Sequence, residues 1–472
     1  MGLLVFGKDT CSKGLCFCQD GGGREKVASA RNRRPLLCIL RAKQPEKKAA
    51  MKRLFLLFSI MSIVLSSCED RRLQTYLANV PVYMSYEALR ASFEVTGGIP
   101  MEKPGKISFY DSHIFINEYQ KGIHIVDLSD PANPELKAFI EVPGNVDMAI
   151  RNDLLYAESY VDLLIIDISD PEQPQLSDRI EDLFEYIIPA YDYEYPLDEI
   201  DEEKGVITEF ELKKITREVH SYPQPWPIFY DYRLEASFDG GAGAATNNTY
   251  GVGGSMARFI TYDNYLYALD SHWKLKSINI SNTQDLKVES ELSLWGGVET
   301  LFIAEDMLYV GTSNGMHILD LANPGAPNFI STYQHITACD PVVVEGDRAY
   351  VTLRAGNTCG GTQDLLEVVD ISDKFKPVRL SSFSMNDPYG LGIDNGILFV
   401  CEGEFGLKVY DAAFETSITS HLISAFPGIH AYDVIPLENF LFMIGDDGFY
   451  IYDYSDLNNI SILGSLLVSP SE

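Results

Sequence analysis

Apolar and polar positions along the chain follow a pattern that recurs seven times. Each copy has two apolar strands, the first containing an aromatic residue and the second ending in Asp or Asn. The pairs are Phe115 and Asp127, Tyr156 and Asp167, Tyr267 and Asn279, Tyr309 and Asp320, Tyr350 and Asp370, Phe399 and Asp411, and Phe442 and Asp453. Regular copies repeat every 40 to 42 residues. This constant register indicates one structural unit copied seven times.

Within one unit the pattern predicts four short strands. In the second copy, residues 146–150 alternate, 154–157 and 163–167 are apolar, and 175–180 are more polar, with turn residues between them. Four antiparallel strands per unit of this length predict an all-β, seven-bladed β-propeller over residues 105–467. The Asp or Asn that ends each third strand is expected to be structural, accepting backbone N–H groups in the next turn.

The stretches that follow these strands, Asp-Leu-Ser-Asp-Pro at 127–131 and Asp-Ile-Ser-Asp-Pro at 167–171, resemble those of the LVIVD repeat family. Members of that family are β-propeller proteins of bacterial cell surfaces. The resemblance covers roughly residues 105–467. It implies the fold but no particular function, because propellers serve both as enzymes and as binding modules.

A second resemblance concerns the cellular location of the protein. Residues 51–67 have a basic start, a twelve-residue apolar run and a Leu-Ser-Ser ending before Cys68, which resembles a bacterial lipoprotein signal peptide. The resemblance implies that Cys68 is lipidated and anchors the protein to the outer membrane or cell surface of a Gram-negative bacterium. Glu69 and Asp70 resemble the export signal of Bacteroidetes-type surface lipoproteins. We interpret residues 1–50 as a misassigned, disordered upstream start and residues 68–104 as a tether and lead-in.

The charge is strongly asymmetric. Residues 1–67 contain 13 Lys and Arg against 4 Asp and Glu, so the rest of the chain holds 24 basic and 64 acidic residues. A surface this acidic repels nucleic acid, which we exclude as a partner. The acidity is explained either by solubility or by a preference for cations or basic partners.

Two insertions interrupt the repeats. The longer, about residues 181–255 between blades 2 and 3, is predicted to contain a strand pair at 206–212 and 215–219. The shorter adds about nine residues around 355–363 in blade 5. Both are expected on one face, since connections from strand 2 to 3 and from strand 4 to the next blade share that face. Cys339 and Cys359 lie there, and we predict that they form a disulfide, with two free thiols as the alternative. Cys401 is expected to be a buried thiol.

The repeat register places charged and aromatic side chains around the mouth of the central channel on that face. They are Asp147, Arg258, Trp273, Glu299, Asp340, Arg354, Tyr389, His430, Tyr432 and Asp433. Such a rim suits a glycan, a peptide or a cation; the alternative is a solvated rim with local salt bridges. No metal cluster or cofactor motif is present in the sequence, and a calcium ion at the acidic rim has no supporting ligand spacing.

The sequence therefore favours a surface-tethered module that binds a glycan, a peptide or a partner protein, or serves as a scaffold. The alternative is a carbohydrate-active hydrolase or lyase that uses carboxylates at the channel mouth, such as Asp147 and Asp433. Neither a Gly-x-Ser-x-Gly elbow nor a His-Glu-x-x-His motif is present.

Overall fold

The computed structural model describes residues 15–19, 25–29, 72–219, 252–336, 341–356 and 361–469. The chain divides into two compact units. The smaller comprises residues 1–73 and 218–222. Its described part includes the antiparallel strand pair β1 (Leu15–Gln19) and β2 (Glu25–Ser29). The larger unit, residues 74–217 and 223–472, contains the repeats.

The larger unit confirms the predicted seven-bladed β-propeller, with four antiparallel strands as the basis of every blade. Strands β3 (Arg72–Met84) and β4 (Glu94–Gly97) flank helix α1 (Tyr86–Arg90) before the first blade. Blades 1 and 2 contain β5 (Pro104–Tyr110), β6 (His113–Glu118), β7 (Gly122–Asp127), β8 (Glu135–Glu141), β9 (Met148–Arg151), β10 (Leu154–Ser159), β11 (Asp162–Asp167) and β12 (Gln175–Ile180). The long insertion contains β13 (Val206–Val219) and β14 (Val252–Gly253).

The remaining five blades follow without interruption by other strands in the described residues. Blades 3 and 4 contain β15 (Phe259–Tyr262), β16 (Tyr265–Ser271), β17 (Lys274–Asn279), β18 (Lys287–Ser293), β19 (Val298–Ala304), β20 (Met307–Thr312), β21 (Gly315–Asp320) and β22 (Asn328–Gln334). Blades 5 to 7 contain β23 (Val342–Glu345), β24 (Arg348–Leu353), β25 (Leu365–Asp370), β26 (Val378–Ser384), β27 (Leu391–Asp394), β28 (Ile397–Cys401), β29 (Leu407–Asp411), β30 (Leu422–Phe426), β31 (Ala431–Leu437), β32 (Phe440–Gly445), β33 (Gly448–Asp453) and β34 (Ser461–Leu467). Short 3-10 turns occur at Glu202–Lys204 and Ile418–Ser420.

The apolar pattern is explained by the packing of neighbouring blades. All seven repeat aromatics are buried, none more than 4% exposed. Phe115 of blade 1, for example, shares one core cluster with Met148 and Ile150 of blade 2. Third strands such as β11 are buried on both faces, which accounts for their continuous apolar runs. Burial of this interface between every pair of blades stabilises the ring.

The terminal Asp or Asn of each third strand has the predicted structural role. In all seven blades its side-chain Oδ1 accepts a hydrogen bond, 2.7–3.0 Å long, from the backbone N–H two residues later. The hydrogen bonds from Ser129 and Ser169 hold the pKa values of Asp127 and Asp167 below the usual range of a carboxyl. These residues are therefore part of the turn rather than of a site.

The ring closes where blade 1 meets blade 7. Ile107 and Ile114 of blade 1 pack in one cluster with Ile435 and Phe442 of blade 7. The rings of Phe109 and Phe442 stack with centroids 5.3 Å apart. Closure thus relies on the same apolar packing as the other blade interfaces, since the four repeat strands of each blade are consecutive in the chain.

The long insertion differs from its prediction. Residues 206–212 and 215–219 do not form a strand pair; they belong to the single strand β13, which pairs with β3 from the N-terminal segment. Lys213 and Lys214, between the two expected strands, lack the Gly, Asn or Asp chemistry of a tight hairpin turn. We call residues 74–97 and 184–217 the cap, because together they cover part of the propeller.

The cap is held to blade 2 by charge and by apolar packing. Arg90, at the end of α1, donates to the buried carboxylate of Asp162 with Nε–Oδ2 at 3.2 Å. Leu89 and Val206 of the cap pack against Val161. Within the cap, the buried Asn79 side chain donates to the carbonyls of Asp192 and Tyr195, both at 2.8 Å. The N-terminal lead-in and the insertion therefore form one folded layer on the propeller.

The end of the insertion runs through the centre of the propeller. Residues 252–258, which we call the axial segment, are mostly buried, and Ser255 and Met256 are each 1% exposed. Strand β14 joins the inner edge of blade 1 beside β5. Ser255 Oγ accepts from the N–H of Leu391 in blade 6, and the Ala257 carbonyl accepts from Leu301 in blade 4. The central channel is thus filled by the chain itself.

Candidate functional site

Nine of the ten residues predicted at the channel mouth lie in the described part of the chain; Asp340 lies outside it. Asp147, Arg258 and Asp433 lie against or within the axial segment. Arg354, Tyr389, His430 and Tyr432 form a second group on blades 5 to 7. Glu299 is half-buried in β19, and Trp273 is 58% exposed in the hairpin between β16 and β17. The predicted rim is therefore divided rather than continuous.

Asp147 joins three blades around the axis. Its Oδ2 contacts Lys106 Nζ of blade 1 at 3.0 Å and accepts from the backbone N–H groups of Arg258 and Phe259. Asp147 and Lys106 are both buried, at 2% and 7% exposure. Burial lowers the pKa of Lys106, while its contact with Asp147 opposes that shift. The carboxylate of Asp147 is thus already engaged by the protein.

Asp433, in blade 7, likewise accepts hydrogen bonds from the axial segment. Its Oδ1 accepts from both the N–H and the hydroxyl of Ser255, at 2.9 and 3.1 Å. Gly254 lies so close that a Cβ there would meet Asp433 Oδ2 at 1.8 Å. Burial raises the pKa of Asp433 well above its usual value. This carboxyl is enclosed by the axial segment rather than facing a channel mouth.

Blades 5 to 7 bring four predicted residues together in what we call the aromatic cluster: Arg354, Tyr389, His430 and Tyr432. The guanidinium of Arg354 lies 3.9 Å from the centroid of the Tyr389 ring. The Tyr389 and Tyr432 rings are 5.1 Å apart, and the His430 ring is 4.7 Å from that of Tyr432. All four side chains are half-buried, so the cluster is packed but reaches the surface.

Two carboxylates complete this cluster and escaped the sequence analysis. Asp387 lies 4.0 Å from Arg354, and Asp446 Oδ2 lies 2.7 Å from His430 Nδ1. Burial raises the pKa of Asp387, while Arg354 opposes the shift. Burial and a hydrogen bond to Asp446 raise the pKa of Tyr432. Asp387 lies in the loop entering blade 6 and Asp446 in the β32–β33 turn, both beside predicted residues. These positions in the repeat could have identified the two carboxylates from the sequence.

A small pocket lies on the same face, between the cap and blades 1 and 2. Its volume is about 30 Å³. Its propeller side is lined by Tyr119, Gln120, Gly144, Val146, Glu158, Tyr160 and Arg258, and its cap side by Ile187, Pro189 and Ile207. Of these residues only Arg258 is among the ten predicted at the channel mouth. The repeat register also places Val146, Tyr119, Glu158 and Tyr160 on this rim, but the cap that encloses them was not foreseen.

Glu158 is the acidic group of this pocket. It is 4% exposed, and its Oε2 is buried with no hydrogen-bond partner among the described residues. Burial raises its pKa to about 7, opposed mainly by Arg258. Buried carboxyls in blades 1, 3 and 6 differ, since each contacts a base in the third strand: Glu118 with His124, Asp270 with Lys276, and Glu402 with Lys408. Blade 2 has Leu164 at that repeat position.

Of the cysteines singled out in the sequence, only Cys401 lies in the described part of the chain. Cys401 is a buried free thiol, as expected. Cys68, Cys339 and Cys359 lie outside the described residues, so the lipid anchor and the disulfide stay predictions. Within the described ranges, no group of three or more His, Cys, Asp or Glu side chains is arranged to hold a metal ion.

Comparison with known proteins agrees with the repeat assignment. The model of the LVIVD repeat matches residues 105–141, 147–182 and 296–335, which correspond to blades 1, 2 and 4. No curated protein sequence matches the chain. The protein is thus a seven-bladed β-propeller with LVIVD repeats in at least three blades.

Many solved structures are similar to the chain. The periplasmic gluconolactonase PpgL of Pseudomonas aeruginosa matches with a TM-score of 0.48 at 10% identity, covering 78% of this chain and 97% of that one. The dihydro-heme d1 dehydrogenase NirN matches with a TM-score of 0.45 at 11% identity, covering 90% and 85%. Sqt1 of Saccharomyces cerevisiae gives 0.42 at 11%, covering 82% and 99%.

Proposed function

We propose that this protein is a binding module and that the aromatic cluster is its recognition surface for an extended glycan, peptide or protein segment. The observation that carries the proposal is the packing of Arg354, Tyr389, Tyr432 and His430 into one half-buried group. Tyr and Arg dominate the energetics of many interfaces. Rings already held in place lose little conformational freedom when a ligand binds, which favours affinity.

The enclosed carboxyls favour binding over the enzymatic alternative. A glycosidase needs two carboxyl groups that face the substrate across a pocket. Asp147 and Asp433 instead accept backbone hydrogen bonds from the axial segment and are 2% and 3% exposed. The rings of the aromatic cluster are half-buried and reach the surface, which suits contact with a sugar or a peptide.

A glycan and peptide array probed with the wild-type protein tests this function. We expect binding to one ligand class that falls about ten-fold or more in the Tyr389→Ala variant, a change typical of an interface hot spot. Trp273→Ala is the matched control, because Trp273 is an exposed aromatic outside the cluster. Equal binding by wild type and Tyr389→Ala would refute the proposed surface.

We further propose that Cys68 is the lipidated first residue of the mature chain and tethers the module to the outer membrane or cell surface. The support is the sequence of residues 51–67, followed by Glu69 and Asp70. None of the helices in the described residues is long and apolar enough to cross a membrane. Cys68→Ala should move the protein from the membrane fraction to the soluble fraction, and unchanged fractionation would refute the anchor.

The proposed Cys339–Cys359 disulfide would brace the two loops of blade 5 in an oxidising compartment. Peptide mapping without reductant should recover the two cysteines in one linked pair of peptides. Recovery of both as free thiols from oxidised protein would remove the disulfide.

A further inference from the structure

The pocket beneath the cap contains a polar group that the fold itself does not use. Glu118 in blade 1 accepts hydrogen bonds from His124 and from two backbone N–H groups, which lower its pKa despite burial. Glu158 is buried to a similar degree, yet no described residue donates to its Oε2. A buried carboxylate oxygen without a donor is costly, so its presence in a pocket indicates a ligand that supplies the donor.

Tight turns and a close backbone approach shape the walls of the pocket. Gln120 and Tyr160 have positive φ angles of 57° and 54°, as residues of tight hairpin turns do, and these turns place both residues at the pocket wall. Gly144 has a φ of 77°, and a Cβ there would lie 2.3 Å from the Tyr160 ring. Gly144 therefore allows the Tyr160 ring to seat against the chain, at the side of the pocket. Such preorganisation favours binding.

Size and charge restrict what the pocket can take. A volume of about 30 Å³ suits one small functional group. An ammonium group would be repelled by the guanidinium of Arg258. A carboxylate would be repelled by Glu158 and Asp147. These three side chains act on the same site. A hydroxyl group is neutral and both donates and accepts one hydrogen bond, which matches a carboxyl beside a guanidinium.

We propose that this pocket binds one hydroxyl group of a neutral sugar or polyol, which donates to Glu158 and accepts from Arg258. The half-buried rings of Tyr119 and Tyr160 lie beside it and present apolar surface to the C–H face of the ligand. The site belongs to blades 1 and 2 and the cap, so it is separate from the aromatic cluster and does not depend on the function proposed for that cluster.

Saturation-transfer NMR on the full chain, with glycerol and D-glucose as probes, tests the site. We expect both probes to bind, and binding to weaken about ten-fold in Glu158→Met, which removes the acceptor but keeps an unbranched side chain of similar length. Ile187→Trp should weaken binding as well, because it fills the pocket from the cap side without altering Glu158. Trp273→Ala, which changes an exposed aromatic outside both the cluster and the pocket, should bind both probes as wild type does.

Three results would overturn the proposal. One is the absence of binding by both probes up to about 100 mM, since even small ligands can gain substantial affinity per atom in a complementary site. Another is unchanged binding in both Glu158→Met and Ile187→Trp. The third is tighter binding of acetamide, ethylammonium or acetate than of glycerol, which would assign an amide, a cation or an anion to the pocket instead.

Discussion

The two polar regions on one face of the propeller differ in how their charges are satisfied. In the aromatic cluster, Arg354 lies against Tyr389 and near Asp387, and His430 contacts Asp446. In the pocket beneath the cap, Glu158 Oε2 has no donor among the described residues. In the first region both basic side chains lie near a carboxylate and the rings are half-buried, whereas in the second a buried carboxyl oxygen lacks a donor.

The difference shows how an insertion changes the chemistry of a repeat. The cluster is made from propeller loops alone, so its side chains reach the surface and suit a broad ligand. Cap residues Ile187 and Ile207 close the pocket over Glu158 and remove it from bulk water. The same face therefore has a surface that can contact a ligand over a broad area and a pocket that can bind a single group through one directed hydrogen bond.

Removing Asp162 should have the largest effect on the pocket, because that carboxylate holds the cap in place. It is fully buried and accepts from Arg90, from Arg179 and from the N–H of Asp182. Asp162→Ala leaves the largely buried side chain of Arg179 without this partner, and we expect the free energy of unfolding to fall by about 3–5 kcal/mol. Urea denaturation measures the loss, and amide exchange should show the cap opening while blades 5 to 7 stay protected.

Glu181→Ala is the matched control for this variant. Glu181 also contacts Arg90, at 2.8 Å, but its side chain is 54% exposed. An exposed ion pair contributes about 1 kcal/mol or less. If the two variants were equally stable, Asp162 would not be the residue that fixes the cap.

The next largest effect concerns Glu158 and pH. Its pKa is raised from 4.5 to about 7 in the folded protein, so between these values the folded state holds more protons than the unfolded state. The free energy of unfolding should therefore fall as the pH rises through this window, by about 3 kcal/mol for this group. Glu158→Gln lacks this titration and should be less sensitive to pH than wild type between pH 5 and about 8.

Melting curves over that range compare the two proteins directly. Other shifted groups, such as Lys106 and Asp433, are common to both proteins and largely cancel in the difference. Glu404→Gln removes an exposed carboxyl and should follow the wild-type curve. Parallel curves for wild type and Glu158→Gln would mean that Glu158 is not enclosed as the structure has it.

The blades were predictable because their determinants are local. Each unit contains its own apolar strands, turn residues and terminal Asp, and Asn152 and Asp153 adopt the positive φ angles, 51° and 60°, that a tight hairpin turn requires. The third strand needs no distant information, since its neighbours in the sheet are also its neighbours in the chain.

The cap and the filled channel were not predictable in the same way. β13 pairs with β3, more than a hundred residues earlier, and local propensity gives no sign of such a partner. The predicted rim assumed an open channel, but the chain returns from the insertion along the axis, where Ser255 bonds Asp433. Glu158 was recognisable as a loop carboxyl, yet its burial depends on cap residues Ile187 and Ile207.

The smallest predicted effect tests whether the two regions are independent. Arg354→Ala removes the guanidinium that stacks on Tyr389, and we expect it to lower the free energy of unfolding by about 1 kcal/mol. The Arg354 and Glu158 sites lie on blades 5 and 2, so the double variant Arg354→Ala/Glu158→Gln should show the sum of the single effects within about 0.5 kcal/mol. Urea denaturation of all four proteins at one pH closes the cycle. A larger coupling would mean that the cluster and the pocket respond to each other across the propeller face, and a ligand bound at one would then alter affinity at the other.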